Sequence, residues 1–194
     1  MEKEMNYIKK LTAVLTMLLV VLCTGCGAEK GTPPELLVDG TSLIVGESMP
    51  VDLTQQGFET NDLGAMILEL PDRSWTSAIF LEKDGKNYCS LTLVNDSKES
   101  KNVYSCVIEE VGFFSLDGEN ADLNITLNGA NPIGMTEEEL KAAYPELEMD
   151  DDESSEWKFH NLDSGSYSIS FQCHNGVLTD IDVRHEFSKS YEAK

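Results

Sequence analysis

The clearest hydrophobic pattern in the chain is a strict alternation near its C-terminal end. From Ser166 to Cys173 an apolar or cysteine side chain occupies every second position, and serine or glutamine fills the positions between them. A period of two predicts a strand with one buried face. A second alternating segment runs from Val177 to Val183, with Asn175-Gly176 between the two, so the pattern predicts a β-hairpin.

The turn of this hairpin decides which side chains face each other. Asn-Gly is typical of a two-residue turn, but that turn would place Phe171 opposite Asp180 and mix core with solvent positions. A three-residue loop, with Gly176 in the left-handed conformation, places Phe171 opposite Thr179 and keeps the apolar positions on one face. We therefore predict the three-residue loop.

A short helix is predicted before this hairpin by its capping signals. Thr136 is a favoured N-cap residue, and Glu139 three positions later completes a capping box. The three acids at 137–139 suit the positive end of the helix dipole. Leu140 begins an apolar face that continues through 143 and 144, and Pro145 ends the helix.

Shorter apolar segments predict a similar set of elements in the first half. The two halves follow one order: a strand, a short helix and an antiparallel meander. We therefore predict an α+β fold of two tandem units, 41–118 and 119–194, each with a short helix packed on an antiparallel sheet. The earlier predicted strands cover 42–45, 65–70, 77–83, 88–95, 103–110 and 122–127, and the first helix covers 52–58.

Residues 1–25 have the features of a targeting segment. Two lysines precede an uncharged apolar run from Leu11 to Leu22, which suits a signal peptide, whereas a membrane-spanning helix needs about 20 residues. The run ends in Leu22-Cys23-Thr24-Gly25-Cys26, which resembles the lipobox of bacterial lipoproteins with cysteine in the usual leucine position. The resemblance implies cleavage before Cys26 and a diacylglycerol on its thiol. The alternative is an ordinary secretory signal. Residues 26–40, with Pro33-Pro34, are predicted to be a tether.

The second half also resembles a recurrent bacterial envelope module. Gly-Met-Thr-Glu-Glu-Glu-Leu at 134–140, the Tyr-Pro stop at 144–145 and a meander ending in Asn-Gly-Val-Leu-Thr-Asp-Ile at 175–181 carry the resemblance. The module occurs in the small lipoprotein of the outer-membrane β-barrel assembly machinery and, twice, in the β-lactamase inhibitory protein family. The whole chain is similar to tandem-module lipoproteins of Gram-positive anaerobes. The resemblance implies a helix-on-sheet layer that binds proteins, and a cell-membrane rather than an outer-membrane location.

The charge of the chain narrows the classes of partner. The 194 residues include 35 acids against 14 Lys and Arg, for a net charge of −21; the targeting segment carries three Lys and two acids, so the chain that starts at Cys26 has a charge of −22. Such a chain is unsuited to nucleic acid, which proteins bind by neutralising phosphates, and to adhesion to anionic lipid. With 41% hydrophobic residues it can bury a core.

Candidate chemistry is sparse. The three histidines stand in no metal-ligand spacing, and no hydrolase, phosphate-loop or dinucleotide motif is present. We predict no enzyme activity, no cofactor and no metal site. The acidic stretch Glu146–Glu156 favours a solvated loop, with calcium binding as its alternative. The aromatic residues favour packing, with a recognition surface as the alternative; they include Trp75, Trp157, Tyr88, Tyr104 and Tyr167.

Three cysteines remain besides Cys23 and Cys26. If a hairpin turns around Ser97-Lys98, Cys89 falls opposite Cys106, which would give either a cross-strand disulfide or two buried thiols. Cys173 is predicted to be a core residue on the face of Phe171.

These features together predict a lipid-anchored, extracytoplasmic binding or adaptor module without catalytic activity, which acts through a sheet face or the groove between the two units. Its partners would be the membrane, through the lipid, and a protein. Two alternatives stay open: an inhibitor of an extracellular hydrolase, and a cation-binding or sensing lipoprotein.

Overall fold

A large antiparallel sheet dominates the computed structural model of this protein. The structure describes residues 31–61, 68–114, 123–149, 155–187 and 192–193. Its elements in chain order are β1 (Leu36–Val38), β2 (Thr41–Ser42), α1 (Pro50–Thr54), β3 (Glu59–Asn61), β4 (Glu69–Leu70), β5 (Ser74–Lys83), β6 (Lys86–Val94), β7 (Lys101–Asn102), a 3-10 turn (Val103–Ser105), β8 (Val107–Phe114), β9 (Ile125–Leu127), α2 (Glu137–Ala143), β10 (Trp157–Ser164), β11 (Tyr167–His174), β12 (Val177–His185) and β13 (Glu192–Ala193).

Eight strands form the main sheet. Their order is β10, β11, β12, β8, β6, β5 and β13, and β3 pairs with another part of β5. Every neighbouring pair is antiparallel except β13 with β5. A small sheet has the order β2, β1, β9, and β4 pairs with β7.

The pairing register gives the main sheet one apolar face, which we call the inner face. One row of directly paired residues crosses six strands on it, and all but the partly buried first member are buried. The row runs Leu162, Ile169, Val183, Val111, Leu91 and Ile79. Burying each such side chain contributes roughly 1.5–3 kcal/mol, so this continuous row is a major source of stability.

The helices and the small sheet join the inner face in one core. Leu53 of α1, Leu140 of α2 and Leu127 of β9 belong to the same cluster of buried side chains as the inner-face row. After α2, the Tyr144 ring lies 5.1 Å from that of Phe171, and its hydroxyl donates a 2.9 Å hydrogen bond to the Leu127 carbonyl. The ring of this buried tyrosine is therefore packed against another ring, and its hydroxyl has a hydrogen-bond acceptor.

The predicted fold of two tandem helix-on-meander units is wrong. Strand β8 of the first predicted unit pairs with β12 of the second, and β1 pairs with β9. Residues 31–194 form one compact unit, which is mostly sheet, and the two described helices have only five and seven residues. The physical reason is that the strands of both halves bury the same apolar row, so neither half has a core of its own.

The predicted tether also ends earlier than residue 40. Leu36 and Val38 are fully buried in β1, which pairs with both β2 and β9. Of the predicted tether, residues 36–38 are therefore part of the core, and 26–30 lie outside the described residues.

The start of the second helix is predicted correctly. The Thr136 hydroxyl accepts a hydrogen bond from the Glu139 amide at 3.3 Å, and the Glu139 carboxylate accepts one from the Thr136 amide at 2.9 Å. These bonds to Thr136 lower the pKa of Glu139. The helix ends at Ala143, two residues before Pro145.

Replacing Thr136 with alanine is expected to lower the free energy of unfolding by about 1 kcal/mol, because the Glu139 amide loses its acceptor. Urea denaturation measures the change. Thr136→Ser keeps the hydroxyl and is the control; an equal loss in both variants would mean that the cap does not contribute.

The predicted three-residue loop in the last hairpin is wrong. Asn175 and Gly176 form a two-residue turn, both with positive φ (51° and 77°), between the paired residues His174 and Val177. The register then shifts by one residue at Thr179, so that Phe171 faces Ile181. A β-bulge at Thr179 therefore brings the apolar faces of the two strands together, whereas the prediction used a longer loop for this purpose.

Candidate binding surface

The face of the main sheet opposite the core, which we call the outer face, carries exposed aromatic side chains. Strand β10 turns its odd-numbered residues outward, and Trp157 and Phe159 are 36% and 51% exposed. Phe114 of β8, on the same face, is 41% exposed. The Trp157 ring stacks on that of His174, with ring centres 4.1 Å apart. Aromatic groups held on strands but left open to solvent are typical of recognition surfaces.

Two of these rings lie at the ends of one row of paired residues. The row runs Phe159, Gln172, Asp180 and Phe114 across β10, β11, β12 and β8. With strands about 4.8 Å apart, the two phenylalanines stand about 14 Å from each other. A carboxyl group and an amide occupy the space between them.

Carboxyl groups surround the centre of the outer face. Asp180 and Asp182 lie on β12, and Glu109 and Glu110 lie at a register shift in β8. Of these four, Asp180 and Glu109 are buried. Arg184 is shared by the two glutamates, at 3.6 Å from Glu109 and 3.8 Å from Glu110. Burial raises the pKa of Glu109, although Arg184 opposes this. Among the described residues, Arg184 is the only cation that pairs with any of these four acids, and it already pairs with the two glutamates.

A glycine shapes the middle of this face. Asp182 and Ser90 pair with Gly112 from either side. A Cβ atom at Gly112 would lie 2.8 Å from Asp182 Oδ1, 2.8 Å from Ser90 Oγ and 3.0 Å from the Phe114 ring. The three side chains therefore converge over the bare backbone, and any residue other than glycine would displace them.

The ionised form of Asp182 is disfavoured in the folded protein. Burial raises its pKa to about 6, with smaller contributions in the same direction from Glu110 and Asp180. Among the described residues it forms no ion pair, and the Asp180 carboxylate beside it accepts a hydrogen bond from the Thr179 hydroxyl at 2.6 Å. A carboxyl group in this state gains from the approach of a cation.

Replacing Asp182 with asparagine is expected to stabilise the protein at pH 7 by about 1–2 kcal/mol, allowing for its partial exposure. The folded chain holds the Asp182 proton up to about pH 6, whereas the ordinary pKa of this carboxyl group is 3.8. The free energy of unfolding of the wild type therefore falls as the pH rises between these two values. Urea denaturation from pH 4 to pH 7 should show a gain that grows with pH. Asp163→Asn, with the same charge change at an exposed outer-face position, is the control. A gain independent of pH would contradict the assignment.

Of the two alternatives for Cys89 and Cys106, a disulfide or two buried thiols, the structure has two buried free thiols. Leu91 pairs with Val111 and Val94 with Val107, so the prediction that Cys89 faces Cys106 is wrong. The reason is that 103–105 form a 3-10 turn instead of continuing β8. Both are buried free thiols, and so is Cys173, which lies in the core as predicted. Burial raises all three thiol pKa values, to about 11 for Cys106 and Cys173, which disfavours the reactive thiolate.

A cleft lies beside β10 and β11, where the described chain begins. It has a volume of about 260 Å³ and is lined by Pro33, Pro34, Asn128, Leu162 and Tyr167, among others. A second concavity of about 260 Å³ beside it shares Asn128 and Leu162 and reaches Tyr144. Neither carries a cluster of catalytic groups.

No family model, curated protein or solved structure matches this chain.

The remaining sequence predictions fall partly outside the structure. Cys26 and the lipobox lie outside the described residues, as do 150–154 of the acidic stretch. In the described part of that stretch, Glu148 pairs through its backbone with Asn161 of β10. No described helix is long and apolar enough to cross a membrane, and no group of three His, Cys, Asp or Glu among the described residues is placed to hold a metal ion.

Of the aromatic residues considered for recognition, Trp157 lies on the outer face. Tyr88 and Tyr167 are buried, and Trp75 and Tyr104 are half-buried. Phe114 and Phe159 were not singled out from the sequence. The alternation of side chains along β10 could have indicated the position of Phe159. One side of this strand carries Lys158, His160 and Leu162, so placing Leu162 in the core turns Phe159 outward.

Proposed function

We propose that this protein is a lipid-anchored binding module on the outer side of a bacterial cell membrane, which holds a protein partner on its outer sheet face and has no catalytic activity. The observation that carries this proposal is the set of exposed aromatic side chains on that face. Phe114, Trp157 and Phe159 are 36–51% exposed although each belongs to a paired strand.

The rigidity of these side chains favours binding. A ring on a hydrogen-bonded strand loses little conformational freedom when a partner covers it, so more of the contact energy appears as affinity. Aromatic residues are also enriched at the residues that dominate interface energies. The surrounding polar side chains, including Gln172, Ser170 and Asn161, provide hydrogen-bonding groups for a rim.

The anchor and the charge fit the same function. A diacylglycerol on Cys26 would hold the chain at the membrane, while its charge of −22 repels the body from anionic lipid. The outer face would then remain available to a partner instead of lying on the bilayer.

Affinity capture with the full-length protein from detergent-solubilised membranes tests this function. Phe159→Ala is expected to weaken retention of the partner about 30-fold, the effect of losing about 2 kcal/mol at an interface hot spot. Val51→Ala is the control, because Val51 is also exposed (36%) but lies on α1, away from the outer face.

Equal retention by wild type and Phe159→Ala would contradict a role for the outer face. Turnover of a substrate by the purified protein would contradict a purely binding function. A captured hydrolase that loses activity when bound would select the inhibitor alternative.

A further inference from the structure

We propose that the outer face binds a lysine- or arginine-bearing segment of a protein partner, with the cationic group held by Asp182 beside the ring of Phe114. This inference rests on the proposed function and names the chemistry of the partner.

The charges on the outer face favour a cationic occupant. Asp180, Asp182, Glu109 and Glu110 contribute four carboxyl groups, and Arg184 is shared by the two glutamates. The two aspartates form no ion pair within the described part of the chain. A positive group would therefore gain attraction without displacing an existing partner.

The same charges argue against two other occupants. A second copy of the anchored chain, also with a charge of −22, would bring the same carboxyl groups against each other. An anionic membrane surface is repelled for the same reason. A basic protein segment is the occupant whose charge complements this face.

The Phe114 ring adds a second attraction for the same group. Asp182 Oδ1 and the Phe114 ring lie 2.8 Å and 3.0 Å from the position that a Cβ atom at Gly112 would take, so the carboxylate stands beside the ring. Ammonium and guanidinium groups are attracted to the face of an aromatic ring within about 6 Å of its centre. The aliphatic stem of lysine or arginine can lie along a ring while its charged end reaches a carboxylate. Carboxylates beside exposed rings therefore suit both parts of these side chains.

Gly112 holds the central carboxylate in place for this contact. Because residue 112 has no side chain, Asp182 Oδ1 and Ser90 Oγ can both lean to within 2.8 Å of the position a Cβ would take. The partial burial that follows weakens the competition of water for Asp182, so an arriving cation is bound more strongly than at an exposed aspartate.

A synthetic peptide in which lysine alternates with serine around a central tyrosine is the probe. Its binding to the full-length protein in neutral detergent is measured by titration calorimetry at pH 7, beside the same peptide with glutamate for lysine. We expect the lysine peptide to bind at least about tenfold more tightly than the glutamate peptide. Asp182→Asn and Gly112→Ala should each weaken lysine-peptide binding about tenfold, with unfolding temperatures showing that both variants are folded.

Glu138→Gln is the matched control, because it removes the same charge at an exposed position of α2. We expect its affinity to stay within about twofold of the wild type, since a distant charge is screened by salt. An equal loss in Glu138→Gln and Asp182→Asn would overturn the inference, because it would reduce the effect to net charge. Equal binding of both peptides, or no heat with the lysine peptide, would also overturn it.

A failure here is distinguishable from a failure of the proposed function. If Phe159→Ala loses the captured partner while Asp182→Asn retains it, the outer face binds a partner without this cationic group. In that case the proposed function stands and the present inference is wrong.

Discussion

Replacing Phe171 with alanine is expected to lower the free energy of unfolding by about 3–5 kcal/mol. Phe171 is fully buried in β11, faces Ile181 across the hairpin and packs its ring against Tyr144. The variant loses the transfer energy of a large side chain and leaves a cavity between the sheet and the segment that follows α2. Urea denaturation measures the loss.

The same variant tests whether the chain has one core or two. Trp75 lies in β5 and Trp157 in β10, so Trp75→Phe and Trp157→Phe leave one fluorescent reporter in each half. In one cooperative unit, Phe171→Ala should shift both reporters by the same amount. A shift seen by Trp157 alone would mean that the halves unfold separately. Phe159→Ala, at an exposed position of β10, is the control and should cost under about 1 kcal/mol.

Replacing Cys26 with serine is expected to move the protein from the membrane fraction to the soluble fraction. A serine hydroxyl cannot accept the diacylglycerol in place of the thiol, and the acidic body has no electrostatic attraction to anionic lipid. Cell fractionation followed by immunoblotting measures the distribution.

Cys23→Ser is the matched control for the anchor. It changes the neighbouring cysteine of the same segment and should leave the protein with the membranes. Retention of Cys26→Ser in the membrane fraction would show that another residue or segment holds the chain there, and the lipobox assignment would be wrong.

Local signals in the sequence predict local structure well. The Thr136–Glu139 capping box depends on residues three apart, and the structure has both of its hydrogen bonds. The alternation from Ser166 to Cys173 likewise predicts a strand whose odd-numbered residues are buried. These features need no knowledge of distant parts of the chain.

Features that depend on distant partners were predicted wrongly. The pairing of β8 with β12 joins the two halves into one sheet, and no local pattern distinguishes this from two separate meanders. A two-residue turn in this hairpin, without a bulge, would place Phe171 opposite Asp180. The prediction avoids this mismatch with a longer loop, whereas the structure avoids it with a bulge at Thr179. The two solutions differ at the start of β12: the longer loop places Val177 on the core face, whereas the bulge buries Leu178 and leaves Val177 40% exposed.

The candidate surface was only partly predictable for the same reason. A sheet face was among the predicted binding surfaces, yet the outward position of Phe159 depends on which side of β10 meets the core. No local pattern around Gly112 indicates that this position must be glycine, because the requirement comes from Asp182 and Ser90 on the neighbouring strands. Cross-strand neighbours are set by register, and register is a property of the whole sheet.

Site-specific photo-crosslinking in intact cells tests most directly whether the outer face is the binding surface. A photoreactive phenylalanine analogue is placed at Phe159 on the outer face or at Val51 on α1, in the otherwise unchanged full-length protein. The predicted result is a discrete crosslinked protein from position 159 and none from position 51. The same adduct from both positions, or an adduct from position 51 alone, would contradict binding at the outer face.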